Sequence, residues 1–326
     1  MVDETFPVLF LPYLAICNVL DHFNLNELIH FSFCSKRTQR IASRKPKGKV
    51  EIILKAQKQS EFIVSLNKQP SYKFKPTPIA DVVVPTKTGL SYYGYFPVIT
   101  VTLRTEAVQG IDKVGTYITA LLKTPITEIQ FLSEKKDNDT IGIIDSVKRR
   151  QTSIEKCTFG QMKYTDRYLS HLLSTLEITD DFDLAAMTSD FFRYSWSLSC
   201  VRLTVQHGEW LTVEHLLNMN CQIVDLQDTK IRSEDLNQFL KHWQSGGCSS
   251  LKYLRLRAAR FDMTDITEGI QVEEFPDTVS RSYLGYYGET IEISGGHGIK
   301  RNDGTIGTVF FKYFFLFEVR LEKIHV

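Results

Sequence analysis

The 326-residue chain has no lysine or arginine in its first 35 positions. A secretory signal places positive charge before its apolar stretch, whereas Phe6–Leu20 follows Asp3 and Glu4 and contains Pro7 and Pro12, so no such signal is read. Long apolar runs are also missing. The most aromatic stretch, Val309–Val319, is interrupted by Lys312 and Glu318 and is too short to cross a bilayer. The expectation is a soluble, cytoplasmic and/or nuclear protein with no membrane partner. The six cysteines (17, 34, 157, 200, 221 and 248) form no C-x-x-C pair, which predicts reduced, mostly buried thiols rather than disulfides or a zinc framework. His171, His207, His215 and His242 are widely separated, and no H-E-x-x-H occurs, so no metal and no cofactor is expected. No G-x-S-x-G elbow is present, and Gly295-Gly296-His297-Gly298 lacks the G-K-[ST] ending of a phosphate cradle and reads as a turn. With no nucleophile–base pair and no metal cluster, no catalytic residue is assigned, and the expected role is non-enzymatic.

What is present is an uneven distribution of charge. Residues 1–35 carry a net −4, residues 36–75 carry twelve Lys or Arg against Glu51 and Glu61, a net +10, and the remainder carries −5 of the +1 total. An acidic apolar head, a basic segment and a mildly acidic body are therefore joined in one chain.

The head predicts three short helices. Pro12 suits a first helical turn, and Ile16, Val19, Leu20 and Phe23 follow at i, i+3, i+4 and i+7. Asn24 with Glu27 three residues later has the pattern of a capping box for a second helix, and Ser35 can cap a third, Lys36–Ala42. Three such helices cannot hide Leu9, Phe10, Leu11, Leu14, Phe31 and Phe33 among themselves. The head must bury this surface either against a partner or against the rest of its own chain.

Leu11-Pro12, the apolar spacing to Phe23, Leu28-Ile29 and Phe33-Cys34-Ser35-Lys36-Arg37 together resemble an F-box of the nematode type. Two positions depart from the wider pattern: Leu14 stands where an acidic residue is common, and Thr38 stands in place of a tryptophan. The resemblance implies binding to a Skp-type adaptor, and through it to a cullin-based ubiquitin ligase. The implied contacts are Leu11, Pro12, Leu14, Ile16, Val19, Leu20, Phe23, Leu28, Ile29 and Phe33.

In the basic segment, Phe62, Tyr72 and Phe74 alternate with lysines, a pattern that could serve nucleic acid. The preferred reading is a solvated helix end followed by the polar face of strands Val50–Leu54 and Phe62–Leu66, with a further strand at Val98–Leu103 and an irregular connector over 76–97. An RNA-binding role through residues 36–75 is kept as an alternative, as is a non-ligase interaction scaffold.

The body predicts a degenerate strand–helix repeat. Strands are expected at Ile126–Leu132, Ile154–Phe159, Thr175–Thr179, Cys200–Val205, Gln222–Leu226 and Lys252–Arg257, with helices at Ile111–Lys123, Asp166–Ser174 and Thr212–Met219. In the clearest unit Ser233 caps a helix carrying Leu236, Phe239, Leu240 and Trp243, Gly246-Gly247 end it, and Leu251-x-x-Leu254-x-Leu256 forms the strand. The expected class is α/β with an all-α head: three-helix head 1–46, β-rich linker 47–109, leucine-rich-repeat-like solenoid 110–260 and C-terminal β cap 261–326. An ordinary mixed α/β domain remains the alternative.

Residues 211–256, with Ser233-Glu234-Asp235-Leu236 and Phe239-Leu240-Lys241-His242-Trp243, and the closing stretch 292–309 resemble the F-box-associated type 2 region of nematode F-box proteins. That resemblance implies a ubiquitin-ligase substrate receptor whose body binds an unidentified protein target. The strand face of a solenoid is its usual binding surface, so Arg202, Thr204, Asp225, Gln227, Tyr253, Arg255 and Arg257 are the expected target-facing row. Tyr194, Trp196 and Trp210 are expected in the core.

Overall fold

A computed structural model describes residues 8–320 except 44–47, 58–59, 78–84, 94–95, 105–106, 133–136, 162, 164–165, 190, 195–198, 258–260, 285–289 and 312–314. Two units divide between Thr152 and Ser153, inside the 110–260 stretch.

In the first unit a 3₁₀ turn, Val8–Phe10, leads into helices α1 (Tyr13–Leu20), α2 (Leu25–Phe33) and α3 (Lys36–Ala42). The predicted capping box is present: Glu27 N donates to Asn24 Oδ1 at 3.0 Å, and Asn24 N donates to Glu27 Oε2 at 2.8 Å. A second box starts α3. Thr38 N donates to Ser35 Oγ at 3.1 Å, and Ser35 N donates to Thr38 Oγ1 at 2.8 Å, so Thr38 has a structural task where the wider pattern has tryptophan. Strands β1 (Val50–Ala56), β2 (Glu61–Leu66), β3 (Gln69–Thr77), β4 (Pro85–Tyr93) and β5 (Phe96–Arg104) precede α4 (Ala107–Leu122), β6 (Glu128–Phe131) and α5 (Asp137–Lys148). The sheet order is β6-β1-β2-β3-β5-β4, with β1–β6 and β3–β5 parallel.

The head packs onto this sheet unit. Phe33 stacks on Tyr117 of α4 with centroids 5.7 Å apart, and Ser32 Oγ and Tyr117 OH share a 2.5 Å hydrogen bond. Burial, opposed by the bond to Ser32, pushes the Tyr117 hydroxyl up to about 12. Tyr72 OH donates to the carbonyl of Asn26 at 3.2 Å.

The second unit begins β7 (Ser153–Phe159), α6 (Asp166–Thr175), β8 (Glu177–Leu184), β9 (Arg202–Val205), α7 (Val213–Asn218), β10 (Ile223–Leu226), α8 (Ser233–Gln244) and β11 (Tyr253–Leu256). Strands β7 to β11 are parallel and lie side by side in chain order. After α9 (Met263–Ile266), strands β12 (Val272–Leu284), β13 (Thr290–Lys300), β14 (Ile306–Phe311) and β15 (Phe315–Arg320) form an antiparallel meander. β15 pairs antiparallel with β11, so that edge of the parallel run is continued rather than exposed.

Side chains alternate across the strands. Phe182, Leu203, Val224, Leu254 and Phe317 occupy matching register on one face. On that side Phe239 and Trp243 of α8 meet Phe317 edge-on, at 5.8 and 5.0 Å between centroids. The α8 residues are those read from the i, i+3, i+4, i+7 spacing, and all are buried.

Several expectations need correction. The connector 76–97 is not irregular throughout, because β4 within it pairs with β5. Pro85 is tolerated there because it begins an edge strand. Ser233 is the first helical residue of α8 rather than its cap. The Arg232 N–H is met by Asp235 Oδ2 at 2.9 Å, while Ser233 Oγ accepts from Asp262 N at 2.9 Å. Helix α1 stops at Leu20, and Phe23 lies beyond it, edge-on to Phe31 at 5.8 Å. Thr175 closes α6, and the next strand runs through Leu184. Gly295–Gly298 do not form a loop but lie within β13. A Cβ on Gly296 would meet the Phe310 ring at 2.6 Å, and one on Gly298 the Phe275 ring at 2.6 Å, so these glycines let aromatic rings lie over the strand. Asn302-Asp303-Gly304 instead turn the chain from β13 into β14, with Gly304 at φ +89°. Helix α5 and strand β12 were not foreseen.

Candidate functional site

Three surfaces qualify, and each is traced from the elements that hold it. The first is the head. Ile16, Leu20, Leu28 and Ile29 are buried, Leu11, Val19, Phe23 and Phe33 are half-buried, and Pro12 and Leu14 are exposed. Around the exposed pair, Phe10 and Tyr13 also face solvent, at 88% and 65% exposure, with Leu14 at 76%. Both halves of the sequence argument apply here: part of the apolar surface packs within the chain, and part does not.

The second is the sheet face opposite α8. Register places Asp181 beside Arg202, Asp183 beside Thr204, Thr204 beside Asp225, and Asp225 beside Arg255. The expected target row is thus brought together on one face. Its charges are spent internally: Arg255 Nε donates to Asp225 Oδ1 at 2.9 Å and Arg255 Nη2 to Asp225 Oδ2, Gln227 Nε2 donates to Asp225 Oδ2 at 3.3 Å, and Arg202 Nη1 donates to Asp181 Oδ2 at 3.3 Å. Asp225, Thr204 and Tyr253 are buried, Arg202, Gln227 and Arg255 half-buried, and Arg257 exposed. Tyr253 joins Ile223, Phe310 and Leu316 in a buried cluster. Desolvation raises the Asp183 carboxyl above the usual carboxylate range, assisted by the carboxylates of Asp181 and Asp225.

The third surface was not found from sequence. A cavity of about 600 Å³ is lined by Lys163, Met187, Ser189, Phe191, His207, Glu209, Trp210 and Lys230, among others. These residues follow the carboxyl ends of β7, β8, β9 and β10, where open parallel sheets commonly bind ligands. No sequence signal marked it, because no fixed spacing links four loops. Trp210 is buried as expected, edge-on to Phe192 at 5.1 Å and to His215 at 5.4 Å. His215 accepts from Thr212 N at Nδ1 (3.0 Å) and meets the Tyr194 carbonyl through Nε2 at 2.5 Å, which fixes the ring. Tyr194 is half-buried, and Trp196 lies outside the described residues. His207, Glu209 and Asp228 hold their polar atoms within 4.8 Å of one another. The His207 Nδ1–Asp228 Oδ2 approach of 3.5 Å accounts for two of them as a direct contact without a metal.

Cys157, Cys200 and Cys221 are buried, and Cys200 and Cys221 bring their sulfurs to 3.5 Å. Their hydrogen bond and burial raise the Cys200 thiol, and burial pushes Cys248 up to about 11, the opposite of what an activated nucleophile needs. Among the described residues no helix is long and apolar enough to cross a membrane.

Comparison with known families finds an F-box domain match over residues 8–49 and an F-box associated match over 192–256. The first contains all ten adaptor-facing candidates. The second contains six of the seven sheet-face candidates, with Arg257 just beyond its end, and includes His207, Glu209, Trp210 and Lys230 of the cavity. Among curated proteins, the chain is 25% identical over 217 residues to the Skn-1 dependent zygotic transcript 15 protein of Caenorhabditis elegans, covering 63% of this chain and 62% of that protein. It is 26% identical over 184 residues to an uncharacterized C. elegans protein, covering 54% and 42%. It is 22% identical over 312 residues to the E3 ubiquitin-protein ligase hecw-1 of C. elegans, covering 84% of this chain and 24% of that one. The chain therefore spans less than two thirds of the length of each relative. The two domain matches and these relatives support reading it as a nematode F-box protein.

Proposed function

We propose that this protein is the target-recognition subunit of a Skp–cullin–F-box ubiquitin ligase, with the head binding a Skp-type adaptor and the second unit binding the protein to be ubiquitinated. The supporting observation is the exposed apolar group Phe10, Tyr13 and Leu14 on a segment that matches the F-box domain. Exposed large apolar residues clustered on one surface are a usual mark of a partner site. In this reading Leu11, Pro12, Leu14, Val19, Phe23 and Phe33 supply contact surface, and the buried Ile16, Leu20, Leu28 and Ile29 hold its shape.

The chain contributes position rather than chemistry. Holding a target near a ubiquitin carrier raises the effective concentration of the reacting groups without adding a catalytic residue. The strand–helix run from β7 to β11 is proposed as a leucine-rich-repeat-like body in which successive units bury one another's apolar faces.

Co-purification of the full chain with a Skp-type adaptor tests the reading. Leu14→Asp is expected to abolish capture without unfolding the chain, since Leu14 is exposed, whereas Leu132→Asp, also exposed but outside the head, retains it. Failure of the wild-type chain to bind, or equal binding by Leu14→Asp, sinks the proposal. Adaptor binding with no effect on target turnover leaves an interaction scaffold instead.

A further inference from the structure

We infer that Cys200 and Cys221 are a modification site: in the presence of a peroxide they close a reversible disulfide that ties the amino ends of β9 and β10 together. The inference goes beyond the receptor reading and does not depend on what the second unit binds.

Strand pairing brings the two sulfurs together. Arg202 of β9 faces Ile223 of β10 across the parallel ladder, and each cysteine lies two residues before its member of that pair. The pairing extends back toward them, since Gln222 N and Ile223 N both donate to the Val201 carbonyl, at 3.1 and 2.9 Å. Neighbouring strands lie about 4.8 Å apart. That is inside the range of about 4.4–6.8 Å between Cα atoms that a disulfide spans. The sulfurs are already at 3.5 Å. Reaching a bond of about 2.05 Å then asks for side-chain rotation and a small closing movement, with the strands left paired. The other cysteines of the unit are placed differently. Cys157 is in β7, two strands from β9. Cys248 turns its sulfur to α7, where it donates to the Leu216 carbonyl at 3.3 Å.

The contact between the thiols also divides their roles. It raises the Cys200 thiol and lowers the Cys221 thiol, so Cys221 is the sulfur that more readily gives a thiolate. That thiolate attacks a peroxide oxygen and breaks the O–O bond. Cys221 becomes a sulfenic acid, and the departing hydroxide takes up the proton that the thiol released, leaving as water. The Cys200 sulfur then attacks the Cys221 sulfur. The S–S bond forms, the S–O bond breaks, and the hydroxide leaves with the Cys200 proton as a second water. The two sulfurs give up two electrons in all, and the peroxide accepts them. With Cys200 alongside, the sulfenic acid is trapped as a disulfide before more peroxide carries it to the irreversible sulfinic acid. At 5% and 1% exposure the pair reacts through brief opening of the strand ends, and so more slowly than the exposed Cys34.

The test treats the reduced full chain with hydrogen peroxide, alkylates the remaining thiols in urea and maps the peptides by mass spectrometry. The expected product is a Cys200–Cys221 linked peptide, lighter by two hydrogens and at least tenfold more abundant than links from either residue to Cys248. Dithiothreitol before alkylation should return both thiols. In Cys200→Ser, Cys221 should accumulate as sulfinic acid, a product absent from wild type at the same dose. The wild-type map decides the bridge whether or not that variant folds. Full alkylation of Cys200 and Cys221 after an exposure about ten times longer than Cys34 needs to oxidise overturns the inference. So do bridges to Cys248 as abundant as the Cys200–Cys221 bridge, which would mean that the paired strand ends do not select the partner.

Discussion

Asp225 sits in the middle of the sheet face at 2% exposure, held by two hydrogen bonds from Arg255 and one from Gln227. A buried carboxylate with this many donors is matched to its site, and removing Arg255 would strand it. Asp183, two strands away, has no such donors: its buried Oδ1 has no hydrogen-bond partner among the described residues. Burial first, then the carboxylates of Asp181 and Asp225, raise its proton affinity in the folded state. A raised folded value means that the native protein holds this proton more tightly than the unfolded chain does. Its contribution to stability is therefore lost as pH rises from the ordinary Asp range through the raised value. Asp183→Asn removes that penalty. The variant is expected to unfold at higher urea concentration than wild type at pH 7, with the advantage shrinking as pH falls through the raised value and gone below about 4. An equal or lower midpoint at pH 7 contradicts this account.

At the scale of elements, the head shows how far local chemistry reaches. The Asn24–Glu27 box satisfies two otherwise free N–H groups at the start of α2. Asn24→Ala is expected to lower stability by about 1 kcal/mol, read from the shift in urea unfolding. No shift would mean that packing against β3 and α4 alone sets the start of α2. The box, the Ser35 cap and the α8 spacing were legible because each is an interaction between residues three or four apart. Helix α5 was not foreseen, because its buried stripe, Ile143, Ile144 and Val147, spans only about one turn. It is held from outside its own sequence: Arg150, just past its end, and Ser146 both reach Asp112 of α4, at 2.5 and 3.1 Å. Strand β4 was missed for a similar reason, since only its pairing with β5 makes an extended strand of a proline- and tyrosine-rich segment.

At the scale of the molecule, the basic segment loses its case as a nucleic-acid surface. Base stacking needs exposed rings, and Phe62, Tyr72 and Phe74 are all at 0% exposure. Lys73 and Lys75 lie within 4 Å of Glu61, and Lys49 pairs with Glu51 at 3.2 Å. The full chain is expected to show no RNA binding in mobility-shift assays even at low salt, where a phosphate-driven complex would be strongest. A salt-sensitive shift would revive that alternative.

By itself the sequence determined the order of the parts, namely an apolar helical head, a strand-rich basic segment and a body of alternating strands and helices, because period, capping and turn chemistry act over a few residues. It also brought the sheet-face row onto one surface, since alternation along neighbouring parallel strands fixes which side chains share a face. Only the tertiary structure decided which of those residues are available. The head's ten candidates divide into buried, half-buried and exposed residues, and the sheet-face charges are consumed by partners about 21 to 30 positions away. The cavity at the strand ends belongs wholly to that second category. Lys163, Met187, Phe191, His207 and Lys230 meet because four successive loops leave the sheet at the same edge, a proximity created by strand pairing that no local pattern encodes.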